Sequence, residues 1–593
     1  MKPKEPNPIS MKYNLFQNFY IIGYSLSDFF SLKTKKSYTF SDIFSDPLNI
    51  KFTPKLISKF PSSIKNYNSI NDDLVISHCF PNGIKILNDQ VLSNNITHFE
   101  FNLDNIPSNY NEEDKSLYSK IYFNCLEFYE PLSSFFDLKK EILARSAKIK
   151  LQIEEEKENK NSMNLNSIFL PKIICFASLL PFSNEIKDVL YNIYSFYKSN
   201  LIGNTNNNLI PLEKIVEQIV MKTPLPVSSE VQVSITFKLS NVKNITSEKI
   251  KFPEYNIKES FIKNYNSISF GEFFNYFSAE DIMKIFKYIL LEIPLLFFCK
   301  NKSALSLFVD NLLSLLNPFV YILPHISLLP QELYGLINSE SKFIFGINEE
   351  YSKDFFEENN IDLDKSIVVV KLDPLKKNES KIFEMIQKIE EMECLVLNEK
   401  NKKKENDKNT EENIFYNNNY INILTIELPS SAKKKAISSL NELLSNIKKK
   451  NDLSDAKFLA EHKFNYNVQH IFFKFFIYIM AGYTDYLLNS KFFNNNSRSK
   501  IKNIGENIRF KSVDEDFIKE VFNLNEFILS HSKDELFYIA FSKTKLFFNF
   551  FREKIYANNV LDKVRHEQFD EFIFLKKHKD FRKKRKIKAF MKI

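Results

Sequence analysis

Apolar residues recur along this chain with different spacings, and each spacing implies a different element. From Tyr288 to Pro324 the chain reads YILLEIPLLFFCKNKSALSLFVDNLLSLLNPFVYILP. Leu305, Phe308, Val309, Leu312, Leu313 and Leu316 return every three or four residues, which places them on one side of a helix that Asn317-Pro318 should stop. The flanking runs LEIPLLFF and PFVYILP are short and continuously apolar, as strands covered on both faces are. The expected unit is strand, helix, strand, with parallel strands and a right-handed crossover. It does not read as a membrane hairpin, because a spanning helix takes roughly 20 consecutive apolar residues. Glu292, Pro294, Lys300, Lys302, Asp310, Asn311 and Asn317 interrupt every run.

Upstream, NFYIIGYSL (Asn18 to Leu26), DDLVISHCF (Asp72 to Phe80), HFEFNL (His98 to Leu103) and SKIYFNCLEFYEPL (Ser119 to Leu132) read as strands of an antiparallel sheet, with a turn at Pro81, Asn82 and Gly83. IFLPKIICFASLLPF, from Ile168, is a further strand, and NEIKDVLYNIYSFYKS is an amphipathic helix. PLEKIVEQIV predicts a helix with Pro211 in its first turn, and KTPLPVSSEVQVSITF two short strands or a hairpin. SKFIFGI and KSIVVVKLD (Lys365 to Asp373) complete a second sheet. Four later segments carry helical spacing and predict a bundle: AKKKAISSLNELLSNIKKK, FNYNVQHIFFKFFIYIMAGYTDYLL, VDEDFIKEVFNLNEFILSHS and DELFYIAFSKTKLFFNFFREKIY. Polar stretches divide these regions. Ala144 to Asn166 reads as a solvent-facing insertion, Asn200 to Leu209 as a boundary, and Lys376 to Tyr420 as a disordered loop.

At 593 residues the chain should divide into three or four domains. Its 8 glycines leave little room for a Gly-rich phosphate loop, and none of the Walker or Rossmann kind occurs. HExxH, CxxC and G-x-S-x-G are likewise missing from the sequence. His462 and His470 lie two helical turns apart without a third ligand, and His78-Cys79 would point to opposite faces of a strand. Neither metal, cofactor nor covalent catalysis is expected. Cys79, Cys125, Cys175, Cys299 and Cys394 are scattered among apolar runs and read as reduced core residues. A net charge of +8 is small for this length and argues against nucleic acid. The exception is KKHKDFRKKRKIKAFMKI, Lys576 to Ile593, whose Lys583, Lys584, Arg585 and Lys586 could meet an anionic membrane. The opening MKPKEPNPIS lacks the apolar stretch of a secretory signal, so the expected compartment is the cytoplasm, with peripheral attachment to endomembranes.

Several of these stretches, in this order, resemble the DENN domain family. HCFPNGIKI, IICFASLLPF, PLEKIV with TPLP, YILLEIPLLFF with LLNPFVYILP, and SKFIFGI are similar to its upstream and central parts. FFIYIMAGYTDYLL and FSKTKLFFNFFREKI are similar to its downstream part, with Thr544-Lys545 where the family tends to show Thr-Gln. The resemblance implies an α/β protein of three modules: a longin-like upstream module over 12–199 with a charged insertion near 146–166, an α/β central module over 210–375 with a partly parallel sheet, and an all-helical downstream module over 421–575. The 376–420 loop and the 576–593 basic tail complete it. It also implies a guanine-nucleotide exchange factor for a Rab-family GTPase, which works by gripping the switch segments and needs no nucleophile. The alternatives are GTPase activation, for which Arg145 is the one upstream arginine to test, and a scaffold without catalysis. The residues expected to meet the GTPase are polar or aromatic ones at element ends: Asn301, Lys302, Tyr321, His325, Tyr483, Lys543 and Thr544.

Overall fold

A computed structural model of the chain describes residues 14–24, 51–61, 70–85, 95–104, 120–131, 169–201, 212–226, 232–241, 244–253, 270–339, 341–350, 352, 355–361, 367–372, 381–385, 395–397, 419–421, 423–448, 454–488, 518, 521–556 and 560–577. In chain order the upstream elements are β1 (Phe16–Gly23), β2 (Lys51–Phe52), β3 (Lys55–Phe60), α1 (Asp72–Cys79), β4 (Ile84–Lys85), β5 (Thr97–Asp104), β6 (Lys120–Pro131) and β7 (Phe169–Ser178). Five of these strands form an antiparallel sheet in the order β3-β1-β7-β6-β5; the sequence predicts an antiparallel sheet here but neither that order nor β3, and β2 pairs with β4. Every residue of central β7 is buried. Its alternation sends Ile173, Cys175 and Ala177 into one core and Ile174 and Phe176 into another. The second core is closed by α2 (Ser183–Leu201), α3 (Leu212–Lys222) and the hairpin of β8 (Ser234–Asn241) and β9 (Asn244–Lys251). That hairpin starts inside the expected run but finds its second strand downstream of it.

One upstream expectation is corrected. DDLVISHCF is helix α1, not a strand. Asn71 caps it by accepting the Asp73 amide at 3.0 Å, and Asp72 and Asp73 bring negative charge to its N-terminus. His78 and Cys79, three and four residues after Val75, are buried with it. A short apolar run fits either element, and here the cap decides.

The central elements are α4 (Phe270–Tyr276), α5 (Ala279–Leu290), β10 (Leu295–Phe298), α6 (Lys302–Ser314), β11 (His325–Ile326), a 3-10 segment Gln331–Asn338, β12 (Ile344–Ile347), α7 (Phe355–Glu358), β13 (Ile367–Lys371) and β14 (Lys381–Met385). They build a mixed sheet in the order β11-β12-β10-β13-β14, parallel except for β14. Leu295 and Phe297 of β10 enter the core shared with the upstream sheet, and Leu296 and Phe298 enter one closed by the 3-10 segment and α7. The apolar segment is therefore interior, as expected. Its second half is corrected: PFVYILP is not a strand. Phe319 turns away from the sheet, with ring centroids 4.7 Å from Phe476 and 4.6 Å from Phe550. Strand β11 starts only at His325 and pairs with β12, which is the parallel neighbour of β10.

Strand β14, and the antiparallel pair β15 (Leu395–Leu397) and β16 (Asn419–Ile421), fall within the expected 376–420 loop. The rest of that loop, the insertion near 146–166 and the chain beyond Lys577 lie outside the described residues. The C-terminal region is helical, as expected: α8 (Ser430–Lys448), α9 (Ser454–Ile479), a 3-10 turn Tyr483–Tyr486, α10 (Leu524–Ser530), α11 (Glu535–Ser542), α12 (Lys545–Tyr556) and α13 (Val560–Lys577). It rests on the α/β body. Phe286 of α5 lies 4.8 Å from Phe472, and Asn465 accepts the Phe270 amide at 3.0 Å. Among the described residues no helix is long and apolar enough to cross a membrane.

Candidate functional site

Between α5 and β10 the chain must turn, and Glu292 makes the turn at φ 53°, a region that bulky residues rarely adopt. The conformation sends a buried carboxylate across to the helical region. Glu292 Oε1 accepts the Leu546 amide at 2.7 Å, and the Lys545 amide also donates to this carboxylate. These are the first amides of α12, where an α-helix lacks internal acceptors and carries positive partial charge. Burial pushes the Glu292 carboxyl up, against the pull of those amides and of the Lys342 and Lys545 ammonium groups. Thr544 supplies a second cap: its hydroxyl donates to the Phe541 carbonyl at 2.7 Å and accepts the Phe547 amide at 3.2 Å.

Tyr321 lies on the sheet side of this junction, buried, its hydroxyl pushed up by burial and by Glu292. Its ring is 6.0 Å from that of half-buried His325. Ile322 between them is 43% exposed, a large apolar side chain left in water. Lys543 and Lys545 are exposed on the opposite, helical side. Four of the seven residues singled out in the sequence lie at or next to this junction: Tyr321 is close enough to feel the Glu292 charge, Lys543 and Thr544 directly precede the amides that Glu292 accepts, and His325 meets the Tyr321 ring. Ile322, Lys543 and Lys545 are the exposed side chains beside this seam, and His325 is half-buried.

The other three are elsewhere. Lys302 is interior: its ammonium pairs with Glu127 at 3.0 Å, each side chain about a tenth exposed (11% and 10%), and donates to the Cys79 carbonyl at 2.9 Å. It ties the upstream sheet to α6. Asn301 caps α6, accepting the Ala304 amide at 3.2 Å, and stays exposed at the far end of β10 from the seam. Around that end lie the carboxyl ends of the parallel strands, the usual ligand crevice of an open α/β sheet. Here the Pro81-Asn82-Gly83 turn fills it. Asn82 donates to the Asn348 carbonyl at 2.8 Å, Asn348 donates to the Cys299 and Lys300 carbonyls at 3.1 and 2.9 Å, and the Gln331 amide donates to the Pro81 carbonyl at 2.8 Å. Gly83, at φ 71°, permits the turn. Tyr483 is fully buried and donates to Asp570, tying the 3-10 turn to α13, while Asp570 also pairs with Lys554 of α12.

Lys583, Lys584, Arg585 and Lys586 lie outside the described residues, as do Arg145 and the side chain of His462. The helix that leads into the basic tail is described to Lys577. Lys576 sits 4.1 Å and Lys435 4.2 Å from the centre of the Tyr478 ring. Burial and the Lys435 charge push Lys576 down to about 8. His470 stacks on Tyr466 and is pushed down to about 4 by burial and by Lys474, so its imidazole is neutral.

Glu292 is the residue that sequence reasoning missed. Its signal was present: a lone carboxylate inside an apolar run must find donors or stay in water. Residues 169–376 match the family model of the DENN (AEX-3) domain. The match begins with β7, spans α2 to β13, and ends beyond Lys371, so the sheet side of the seam belongs to a DENN domain and the helical side follows it in sequence.

Proposed function

We propose that this chain is a guanine-nucleotide exchange factor for a Rab-family small GTPase, acting in membrane traffic. The observation that carries the reading is the DENN domain at 169–376, a domain typical of Rab exchange factors. On this reading the upstream antiparallel sheet is the longin-like module, the mixed sheet the central module and the C-terminal helices the downstream module. The GTPase switch segments rest along Ile322, His325, Lys543 and Lys545, where an apolar contact and two cations offer grip without reactive groups. The factor prefers the GTPase conformation that holds GDP and Mg²⁺ poorly, so GDP leaves. Only such differential affinity moves an equilibrium, and about 5.5 kcal/mol moves it from 1:99 to 99:1. The basic tail beyond α13 holds the chain at an anionic membrane, with Lys435 and Lys576 extending the positive surface next to it.

The test is to mix the purified chain with a panel of Rab proteins carrying fluorescent GDP. Accelerated release is expected for at least one member, reduced at least tenfold by Ile322→Asp with Lys543→Glu, which change exposed side chains only. No acceleration across the panel sinks the exchange reading.

A further inference from the structure

Three cysteines that lie far apart in sequence meet in the interior. Cys79 ends α1, Cys125 lies in β6 and Cys175 in β7, where the register sets Cys125 directly opposite Cys175. Cys125 Sγ is 3.1 Å from Cys175 Sγ and 3.8 Å from Cys79 Sγ. All three are buried free thiols. The cluster is also polarised. Burial pushes each thiol up, but the two neighbouring sulfurs and the Lys302 ammonium bring Cys79 below the ordinary thiol range, while Cys125 donates its S–H to Cys175. Cys125 and Cys175 are raised by burial and by their sulfur neighbours. The cluster sets one sulfur at the end of an 8-residue helix with a second thiol 3.8 Å away on β6, the pairing that a redox-sensing cysteine needs once it is exposed.

We propose that Cys79 and Cys125 are a modification site, oxidised by a hydroperoxide to a disulfide that ties α1 to β6. The Cys79 thiolate attacks the peroxide oxygen, the O–O bond breaks, and the leaving oxygen departs as water or alcohol after taking a proton. Cys79 is then a sulfenic acid. The Cys125 sulfur attacks the Cys79 sulfur, the S–O bond breaks, and hydroxide leaves as water with the Cys125 proton. Two thiols lose two electrons and the peroxide gains them. Because the sulfurs are covered, the reaction proceeds through local lifting of α1, a helix of 8 residues. The bond forms beneath the Pro81-Asn82-Gly83 turn, so it fixes the contact between that turn and the end of β12.

The experiment treats the full chain with hydrogen peroxide at a temperature well below its melting point, blocks remaining thiols with an alkylating agent, and maps peptides without reduction. The expected product is a Cys79–Cys125 linked peptide pair with Cys175 alkylated only after denaturation. Cys125→Ser should stop the reaction at a Cys79 sulfenic acid, captured by a dione probe, and Cys79→Ser should slow peroxide consumption at least tenfold. Thiols that all stay reduced in the folded wild-type chain overturn the proposal, as does a linkage confined to Cys125 and Cys175, or oxidation that appears only once the chain unfolds.

Discussion

Glu292 illustrates how one buried carboxylate can shape a site without touching a partner. Its strained backbone costs on the order of 1–3 kcal/mol, offset by the amides of Lys545 and Leu546 that it satisfies. Glu292→Ala leaves those donors in the interior, and the expected loss is about 2 kcal/mol of stability, read as a lowered urea midpoint. The same variant should slow GDP release, since Lys543 and Lys545 lose their anchor; an unchanged midpoint would remove the capping role. A pair of acids elsewhere gives a pH signature. Glu100 of β5, bonded by the Ser183 hydroxyl, is pushed up to about 7 by burial. Asp310 of α6 is pushed up to about 8, by burial first and then by Glu100, with Lys120 acting against both. Both lie above the unfolded carboxylate range near 4, so the folded state binds the extra protons and its stability falls as pH rises from about 4 to about 8. Thermal melting at pH 5.5 and at pH 8 should show this slope, and Glu100→Gln with Asp310→Asn should flatten it.

The elements show where pattern suffices and where it does not. Strands β1, β5, β6, β7 and β13 were legible because two-residue alternation, or unbroken apolarity, reports directly on which faces are covered. The run now known as α1 carried no such report: nine residues, DDLVISHCF, fit a strand or two helical turns, and the Asn71 cap was the overlooked signal. PFVYILP was misread for a different reason: Phe319 packs on the C-terminal helices instead of a sheet neighbour, and Ile322 is left in water. Strand β12 adds a constraint that only backbone proximity explains. A Cβ on Gly346 would stand 2.0 Å from the Ser327 carbonyl oxygen and 2.9 Å from its carbon. Gly346→Ala must therefore push the chain after β11 away from the sheet, with an expected cost of about 3 kcal/mol. A melting temperature equal to wild type would show that this edge yields freely.

Across the whole molecule, the tail and the body should separate in function. Deleting residues 578–593 leaves Lys576 on Tyr478, so the prediction is loss of binding to anionic vesicles, with GDP release in solution unchanged. Vesicle binding by the intact chain should weaken steeply as salt rises, because exposed charges are screened. Composition and periodicity alone were enough to indicate an α/β body, a buried central segment and a helical C-terminal region, because burial imposes its spacing on neighbouring residues. It was the family resemblance that directed attention to polar and aromatic residues at element ends: Asn301, Lys302, Tyr321, His325, Tyr483, Lys543 and Thr544. Neither could say that Glu292 reaches the first amides of α12, that Lys302 and Tyr483 are used up inside, or that Cys79, Cys125 and Cys175 meet. Such contacts join positions tens to hundreds of residues apart, and no local rule of spacing carries that information; it exists only once the sheets and helices have packed.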